Sequence, residues 1–83
     1  MEKMAATSQY LHIARDLAAR IAKGEFPEGG KLFGRSMLAS EYGVSPETIR
    51  RALRLLADMK VVEIRAQSGA IVLSTDNARR YLD

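Results

Sequence analysis

Residues 43–56, with the sequence GVSPETIRRALRLL, contain a helix end, a helix start and a basic helix face in immediate succession. Gly43 can take the left-handed backbone conformation that closes a preceding helix. Ser45 is a good N-cap, because its side-chain oxygen can accept from the free N–H groups of the next turn. Pro46 then occupies the first helical position, where its fixed φ fits and its missing N–H costs nothing. The stretch predicts a turn followed by a helix that begins at Pro46.

The helix after this turn has an apolar side and a basic side. Its apolar residues recur at helical spacing and predict a buried stripe made of Ile49, Ala52, Leu53, Leu56 and Met59. The residues that lie largely outside the stripe are Arg50, Arg51 and Arg54. A short helix is predicted before it at residues 36–42, with core positions at Met37, Leu38 and Tyr42. The pair predicts a helix-turn-helix, with residues 46–58 as the recognition helix.

The composition is typical of one small folded domain and argues against a function that depends on metal or redox chemistry. The chain has 83 residues, of which 47% are hydrophobic and 28% charged, and it has no cysteine and one histidine, His12. Thiolate metal sites and disulfides are excluded, and we expect no cofactor. We also expect no enzyme, because His12 has no nucleophile at a suggestive spacing and no pair of carboxylates lies in an apolar run. The absence of a long apolar run or a signal peptide predicts a cytoplasmic protein without membrane contact.

The positive charge is concentrated in one part of the chain. The net charge is +3, and basic and acidic residues balance in residues 1–30 and again in residues 66–83. The excess therefore lies in residues 31–65, which include the helix-turn-helix. A basic patch on a candidate recognition helix is typical of a nucleic-acid-binding protein.

The other elements follow from local patterns. A first helix is expected from a cap at Thr7 or Ser8 to about Lys23, with Tyr10 on its apolar face and Arg20 on its outer side. Residues 26–30 predict a type II turn with Pro27 in its second position, followed by a brief strand at residues 31–33. Two β-branched runs, 61–65 and 70–73, predict a hairpin that forms a wing. Residues 74–76 are a cap cluster, and residues 77–82 predict the start of another helix.

The expected fold is α+β but mostly α: a winged helix-turn-helix with a three-helix core and a β-hairpin wing. Residues 1–7 are expected to be a flexible N-terminus and residues 8–73 the DNA-binding domain. Residues 74–83 are expected to begin another helix.

Three segments together resemble the GntR family of bacterial transcription regulators at their N-terminal winged-helix domain. They are GEFPEGGKL at 24–32, LASEYGVSPETIRRALRLL at 38–56 and SGAIV at 68–72. The resemblance implies that the recognition helix enters the major groove of DNA and that the wing tip lies near the minor groove. It also implies DNA contacts for Thr48 and Arg50, and it aligns Gly69 with the second glycine of the family's wing.

The sequence departs from the family pattern at four places. The family commonly has Pro-Ser-Glu-Arg where this chain has Phe-Gly-Arg-Ser at 33–36, so that Arg35 is displaced. Pro46 stands where the family often has a DNA-contacting arginine. Lys60 replaces a common helix-ending glycine, and Gln67 replaces the first glycine of the wing. We therefore do not transfer the family's usual operator sequence.

The candidate DNA-binding residues lie on the predicted recognition helix, its first turn, the wing and the segment before the helix pair. They are Lys31, Arg35, Ser45, Pro46, Glu47, Thr48, Arg50, Arg51, Arg54, Arg65, Gln67 and Gly69. Arginine can grip a phosphate or the guanine O6/N7 edge bidentately, and the free N–H groups of a helix start can hold a phosphate. The plainer interpretation is a solvated helix face, with the arginines paired to Glu47 or Asp58. Glu47 could accept from cytosine N4, but the helix dipole sufficiently explains a carboxylate there.

The expected partner is double-stranded DNA, in the form of a palindromic operator. The resemblance implies that residues 74–83 begin a linker helix to a C-terminal domain beyond this sequence. That domain would hold the full-length protein as a homodimer and bind the small-molecule effector. Residues 68–74 and 76–82, SGAIVLS and DNARRYL, resemble the GntR branch whose ligand domains sense a cyclic dinucleotide. The alternative is a winged helix used for protein–protein or RNA contact. An acidic or apolar recognition face would favour that alternative, and the three arginines argue against it.

Overall fold

The computed structural model describes residues 6–66 and 69–83, and the side chains of these residues from Gln9 onward. Most of the terminus expected to be flexible, residues 1–5, lies outside this description, and so does Gln67. The described elements, in chain order, are α1 (Ala6–Ala22), α2 (Arg35–Tyr42), α3 (Pro46–Asp58), β1 (Val62–Arg65), β2 (Gly69–Val72) and α4 (Thr75–Leu82). The mostly helical α+β fold with a hairpin wing is confirmed. None of the described helices reaches both the length and the apolarity of a membrane span.

One apolar core joins the helices to the hairpin. Its largest fully buried side chains come from α1, α2, α3, both strands and the residue before β1: Leu17, Ile21, Leu38, Ile49, Leu56, Val61, Val62 and Val72. Full burial of such a side chain contributes about 1.5–3 kcal/mol relative to exposure. The core therefore fixes α3 against α1 and the wing, and the basic side of α3 is left at the surface.

The turn between α2 and α3 forms as its residues predict. Gly43 has φ 69° in the left-handed region, and the next N–H, that of Val44, donates to the carbonyl of Ala39 at 3.0 Å. Ser45 accepts the backbone N–H of Thr48 at 3.3 Å and caps α3. These local contacts set the angle at which α3 leaves the turn.

α3 ends with a lysine where glycine is usual. Lys60 has φ 62°, its N–H donates to Ala57 at 3.0 Å, and the N–H of Val61 donates to Leu56 at 2.9 Å. This pair of bonds is the Schellman arrangement, which favours glycine at the left-handed position. Met59, expected in the buried stripe, is 45% exposed because it lies beyond the last helical turn.

Two expectations for the first two helices are wrong. Thr7 and Ser8 lie inside α1 and cannot cap it, because the helix already includes Ala6, a residue of high helix propensity. Met37, expected in the core, is 58% exposed. The buried positions of α2 are Leu38 and Ala39, because so short a helix presents only a narrow side to α3.

Arg20, expected on the outer side of α1, is instead covered by neighbouring segments. Its side chain is 14% exposed, with Nη2 at 2.7 Å from Glu25 and Nη1 at 3.3 Å from Glu41. The guanidinium also donates to the Tyr42 hydroxyl at 3.0 Å and lies 5.0 Å from the centre of the Phe26 ring. The hydrogen bond to Glu25 raises the pKa of Arg20, and burial opposes it. Arg20 thus ties the end of α1 to the end of α2.

The turn after α1 is displaced by one residue from its predicted position. The N–H of Gly30 donates to the carbonyl of Pro27 at 2.9 Å, so Pro27 is the first residue of the turn and not the second. Gly29, with φ 82°, takes the third position, where a type II turn requires positive φ. The brief strand that follows is reduced to one bridge between Lys31 and Ile71.

The wing is an antiparallel hairpin, and α4 follows it closely. Val62 pairs with Val72 and Arg65 with Gly69, at opposite ends of the ladder. α4 packs against α1, and Ser74 caps it by accepting the N–H of Asn77 at 3.0 Å. The Asn77 side chain donates to the carbonyl of Lys60 at 3.1 Å, which connects α4 to the end of α3.

Candidate nucleic-acid interface

A groove of about 480 Å³ lies between the start of α2, the exposed side of α3 and the wing. We call it the wing groove, and its lining residues are Gly34, Arg35, Arg50, Leu53, Ile64, Arg65, Ala66 and Gly69. Three arginines from three separate elements thus face one depression. Like charges placed together repel one another, so this arrangement is suited to an anionic partner even though Arg50 and Arg65 each have a carboxylate beside them.

Arg50, which lines the wing groove from α3, is already paired. Its Nε donates to one carboxylate oxygen of Glu47 at 3.1 Å, and its Nη2 donates to the other at 2.7 Å. The hydrogen bond lowers the pKa of Glu47 and raises that of Arg50, and the positive charges of Arg51 and Arg35 lower the pKa of Glu47 further. Both side chains are substantially exposed, so a phosphate or a base edge can compete for the guanidinium.

The first turn of α3 lies beside this pair. Ser45 and Thr48 share a hydrogen bond between their hydroxyls at 3.2 Å, and Ser45 also caps the helix. Pro46 occupies the first helical position. These residues form the helix end at which the dipole favours a negative charge, and Glu47 already supplies one in the free protein.

The wing contributes a second exposed ion pair. Arg65 Nη2 lies 3.0 Å from Glu63, on the same strand, and both side chains are about half exposed. Gly69, opposite Arg65 in the ladder, also lines the wing groove. Gln67, the remaining wing candidate, lies outside the described residues.

A second depression, the helix groove, lies on the other flank of α3. Its lining residues are Tyr10, Arg50, Arg51, Arg54, Leu55 and Asp58. The Arg51 guanidinium lies 5.0 Å from the centre of the Tyr10 ring, within the range of a cation–π contact. The apolar spacing of α1 assigned Tyr10 to the core, and its contact with a residue of α3 becomes visible only once the two helices are packed.

The structure thus gathers most of the predicted site residues around α3 but separates one from them. Arg35, Arg50, Arg65 and Gly69 share the wing groove, and Arg50, Arg51 and Arg54 share the helix groove. Lys31 lies in its bridge with Ile71 and lines neither groove. Within residues 6–66 and 69–83 there is no group of three or more side chains of the metal-ligating types.

Residues 9–72 match the family model of the bacterial regulatory proteins of the gntR family. The chain belongs to the GntR family. The helix-turn-helix and wing are the winged-helix DNA-binding domain of that family, as the sequence resemblance implied.

Individual relatives have names that agree with this assignment. The chain is 40% identical over 63 residues to the mannosyl-D-glycerate transport/metabolism system repressor MngR of Escherichia coli, covering 76% of this chain and 26% of MngR. It is 35% identical over 63 residues to the gluconate operon transcriptional repressor of Bacillus licheniformis, covering 76% of this chain and 25% of the relative. The chain thus spans about a quarter of the length of these two curated relatives.

A solved structure of a protein bound to DNA is similar to this chain in fold. S. agalactiae BusR in complex with its busAB-promotor DNA superposes with a TM-score of 0.85 and is 44% identical in sequence. The match covers 90% of this chain and 37% of BusR. This chain is therefore similar in fold and in sequence to a domain found in a complex with promoter DNA.

Proposed function

We propose that this chain binds double-stranded DNA sequence-specifically, with α3 in the major groove and the wing at the adjacent minor groove or backbone. The observation that carries the proposal is the wing groove, in which Arg35, Arg50 and Arg65 converge from three elements. The similarity to BusR, whose structure contains promoter DNA, supports the same conclusion.

The candidate residues divide by what they can contact. Arg50, in the middle of the exposed side of α3, is proposed to read a base edge after it exchanges Glu47 for guanine. Arg35 and Arg65, which line the wing groove from α2 and β1, are proposed to hold phosphates, and so is Lys31 from the neighbouring segment. Ser45, Pro46 and Thr48 would place the start of α3 beside a phosphate, and Gln67 and Gly69 are proposed as DNA contacts on the basis of the sequence.

The wider role is proposed by analogy with the longer relatives. Since the chain spans about a quarter of the length of the two curated repressors, it would act as the DNA-binding part of a longer bacterial transcription regulator. α4 would begin the connection to a further domain, which would bind the effector and hold two copies on a palindromic operator. Because the family and these relatives are transcription regulators, we propose a binding role and not a catalytic one.

Direct titration tests the DNA-binding proposal. A duplex selected from genomic DNA by the purified chain should bind much more tightly than a scrambled duplex of equal length. Affinity should fall with salt at a log–log slope of roughly −0.9 per phosphate contact. Failure to bind any duplex, or equal binding to an RNA duplex of the same sequence, would contradict the proposal.

The chain offers a matched pair of variants for this experiment. Arg50 and Arg79 are both exposed and both pair with a carboxylate three residues earlier, Glu47 and Asp76 respectively. They differ in position, because Arg79 lies on α4 and lines neither groove. Arg50→Ala should weaken binding to the selected duplex, whereas Arg79→Ala should leave it unchanged.

A further inference from the structure

Two of the three arginines that line the helix groove have no carboxylate partner among the described residues. Arg50, which also lines the wing groove, pairs with Glu47, but Arg51 and Arg54 form no ion pair with any carboxylate in the described part of the chain. Arg51 instead lies against an aromatic ring, that of Tyr10. Its N–H donors therefore have no anionic partner within the described residues.

Tyr10 is well placed to fix the position of Arg51. The ring is half-buried and packs against the core, and α1, which carries it, packs along α3. A side chain anchored in this way offers a fixed surface to the guanidinium 5.0 Å away. A contact of Arg with an aromatic ring restricts a long, flexible side chain without neutralising its charge.

We propose that the helix groove is a second binding site for DNA backbone phosphate, in which Arg51 and Arg54 are the ligands and Tyr10 is the positioning residue for Arg51. This inference rests on the proposed function and adds a contact from α1 to it. α3 would then contact DNA on both flanks, with the wing groove on one side and the helix groove on the other.

The chemistry of the helix groove favours phosphate over a base edge or an acidic protein. The arginines at 50, 51 and 54 share this flank of α3, whereas the groove has a single acidic lining residue, Asp58. Phosphates recur regularly along a DNA strand and can meet several guanidinium groups in a row. A site of this kind strengthens binding to every sequence and carries no sequence information.

A double-mutant cycle tests the assignment of Tyr10. Dissociation constants are measured for the selected and the scrambled duplex with the wild-type chain, Tyr10→Leu, Arg51→Ala and the double variant. We expect Tyr10→Leu to weaken binding to both duplexes by about 2- to 10-fold, the effect of having to order one long side chain on binding. The ratio of the two affinities should stay constant, and Tyr10→Leu should have no further effect when Arg51 is already alanine.

The controls separate positioning from a purely structural role. Tyr10→Phe keeps the ring and should bind within about twofold of the wild type, since the contact depends on the ring face. Thermal unfolding of each variant confirms that the chain is folded at the assay temperature. Effects of Tyr10→Leu and Arg51→Ala that simply multiply would overturn the assignment, as would a loss of affinity confined to the selected duplex.

A second measurement requires no destabilising substitution. In nuclear magnetic resonance spectra of the wild-type chain, the Arg51 side-chain N–H signals should shift when scrambled duplex is added, whereas those of Arg79 should not. Unchanged Arg51 signals in a chain that binds the duplex would overturn the helix-groove site and leave the proposed function standing. A wild-type chain that binds no duplex at all would overturn both.

Discussion

Glu47 holds Arg50 with both carboxylate oxygens, at 3.1 Å from Nε and 2.7 Å from Nη2. The arginine that the family pattern assigns to DNA contact is thus occupied before DNA arrives. Any DNA group that contacts the Arg50 guanidinium must displace this carboxylate, so it has to bind the guanidinium more favourably than Glu47 does. A guanine edge offers two acceptors in matching geometry, whereas a phosphate also meets the repulsion of the carboxylate beside it.

The first prediction follows from this exchange. Glu47→Gln keeps the size of the side chain but removes its charge, so Arg50 becomes available to any phosphate. We expect the affinity for a scrambled duplex to rise several-fold, the affinity for the selected duplex to rise less, and the salt slope to steepen by roughly 0.9, the value for one further phosphate contact. Asp76→Asn is the matched control, because it removes the carboxylate that pairs with Arg79 at the same spacing. Unchanged binding to the scrambled duplex would show that Glu47 does not compete with phosphate for Arg50.

A second prediction separates base reading from phosphate contact within the wing groove. Arg50→Ala should weaken the selected duplex roughly 10- to 100-fold and relax discrimination at one base pair, as expected when a bidentate base contact is lost. Arg65→Ala should weaken all duplexes by about the same factor. Binding to a panel of single-base variants measures both effects. If the two substitutions weaken selected and scrambled DNA alike, Arg50 does not read a base.

A third prediction concerns the strained end of α3. Lys60 has φ 62°, a conformation that costs a residue with a Cβ roughly 1–2 kcal/mol. Lys60→Gly should raise the free energy of unfolding by about 0.5–1 kcal/mol once the greater entropy of the unfolded glycine is subtracted. Lys60→Ala is the control, because it removes the charge and keeps the Cβ. Urea denaturation should rank glycine above both lysine and alanine, and equal stability of the glycine and alanine variants would contradict the strain.

The helix-turn-helix could be predicted because its signals are local. Gly43, Ser45 and Pro46 each act on backbone groups within a few residues, so their effects can be worked out from the sequence. The resulting bounds for α3, Pro46–Asp58, agree with those of the structure. The positions of Arg50, Arg51 and Arg54 on the exposed side of α3 follow from the same helical spacing.

The surroundings of Arg20 and Tyr10 could not be predicted, because they depend on contacts with residues distant in sequence, which helical periodicity does not reveal. Spacing along α1 puts Arg20 outside, yet Tyr42, 22 residues later, covers it through a hydrogen bond. Tyr10 has the spacing of a core residue, and its contact with Arg51 arises only when α1 packs on α3. A possible signal for such contacts is a large amphipathic side chain at the edge of an apolar stripe, since such side chains often bury one end and expose the other.

The last prediction uses the contact between α1 and α2 and concerns stability at alkaline pH. Tyr42 donates a hydrogen bond to Asp16 and accepts one from Arg20 at 3.0 Å. Burial, followed by the hydrogen bond to Asp16, raises the pKa of Tyr42 from 10.0 to about 12. The folded chain therefore keeps the phenol proton over a pH range in which the unfolded chain has lost it.

The sign of the pH effect follows from proton binding. Because the folded-state pKa is the higher one, the stabilisation is fully present below pH 10 and is lost as the pH rises through about 12. Tyr42→Phe should lower the free energy of unfolding by about 1 kcal/mol near neutral pH, the net value of a hydrogen-bonded hydroxyl. The difference between the wild type and Tyr42→Phe should then shrink between pH 10 and about 12. Urea denaturation of both proteins across this range measures this difference. The other tyrosines and the lysines titrate in both proteins, so their contribution drops out when the two free energies of unfolding are subtracted. A difference that stays constant with pH would show that the phenol proton of Tyr42 is not held by the fold.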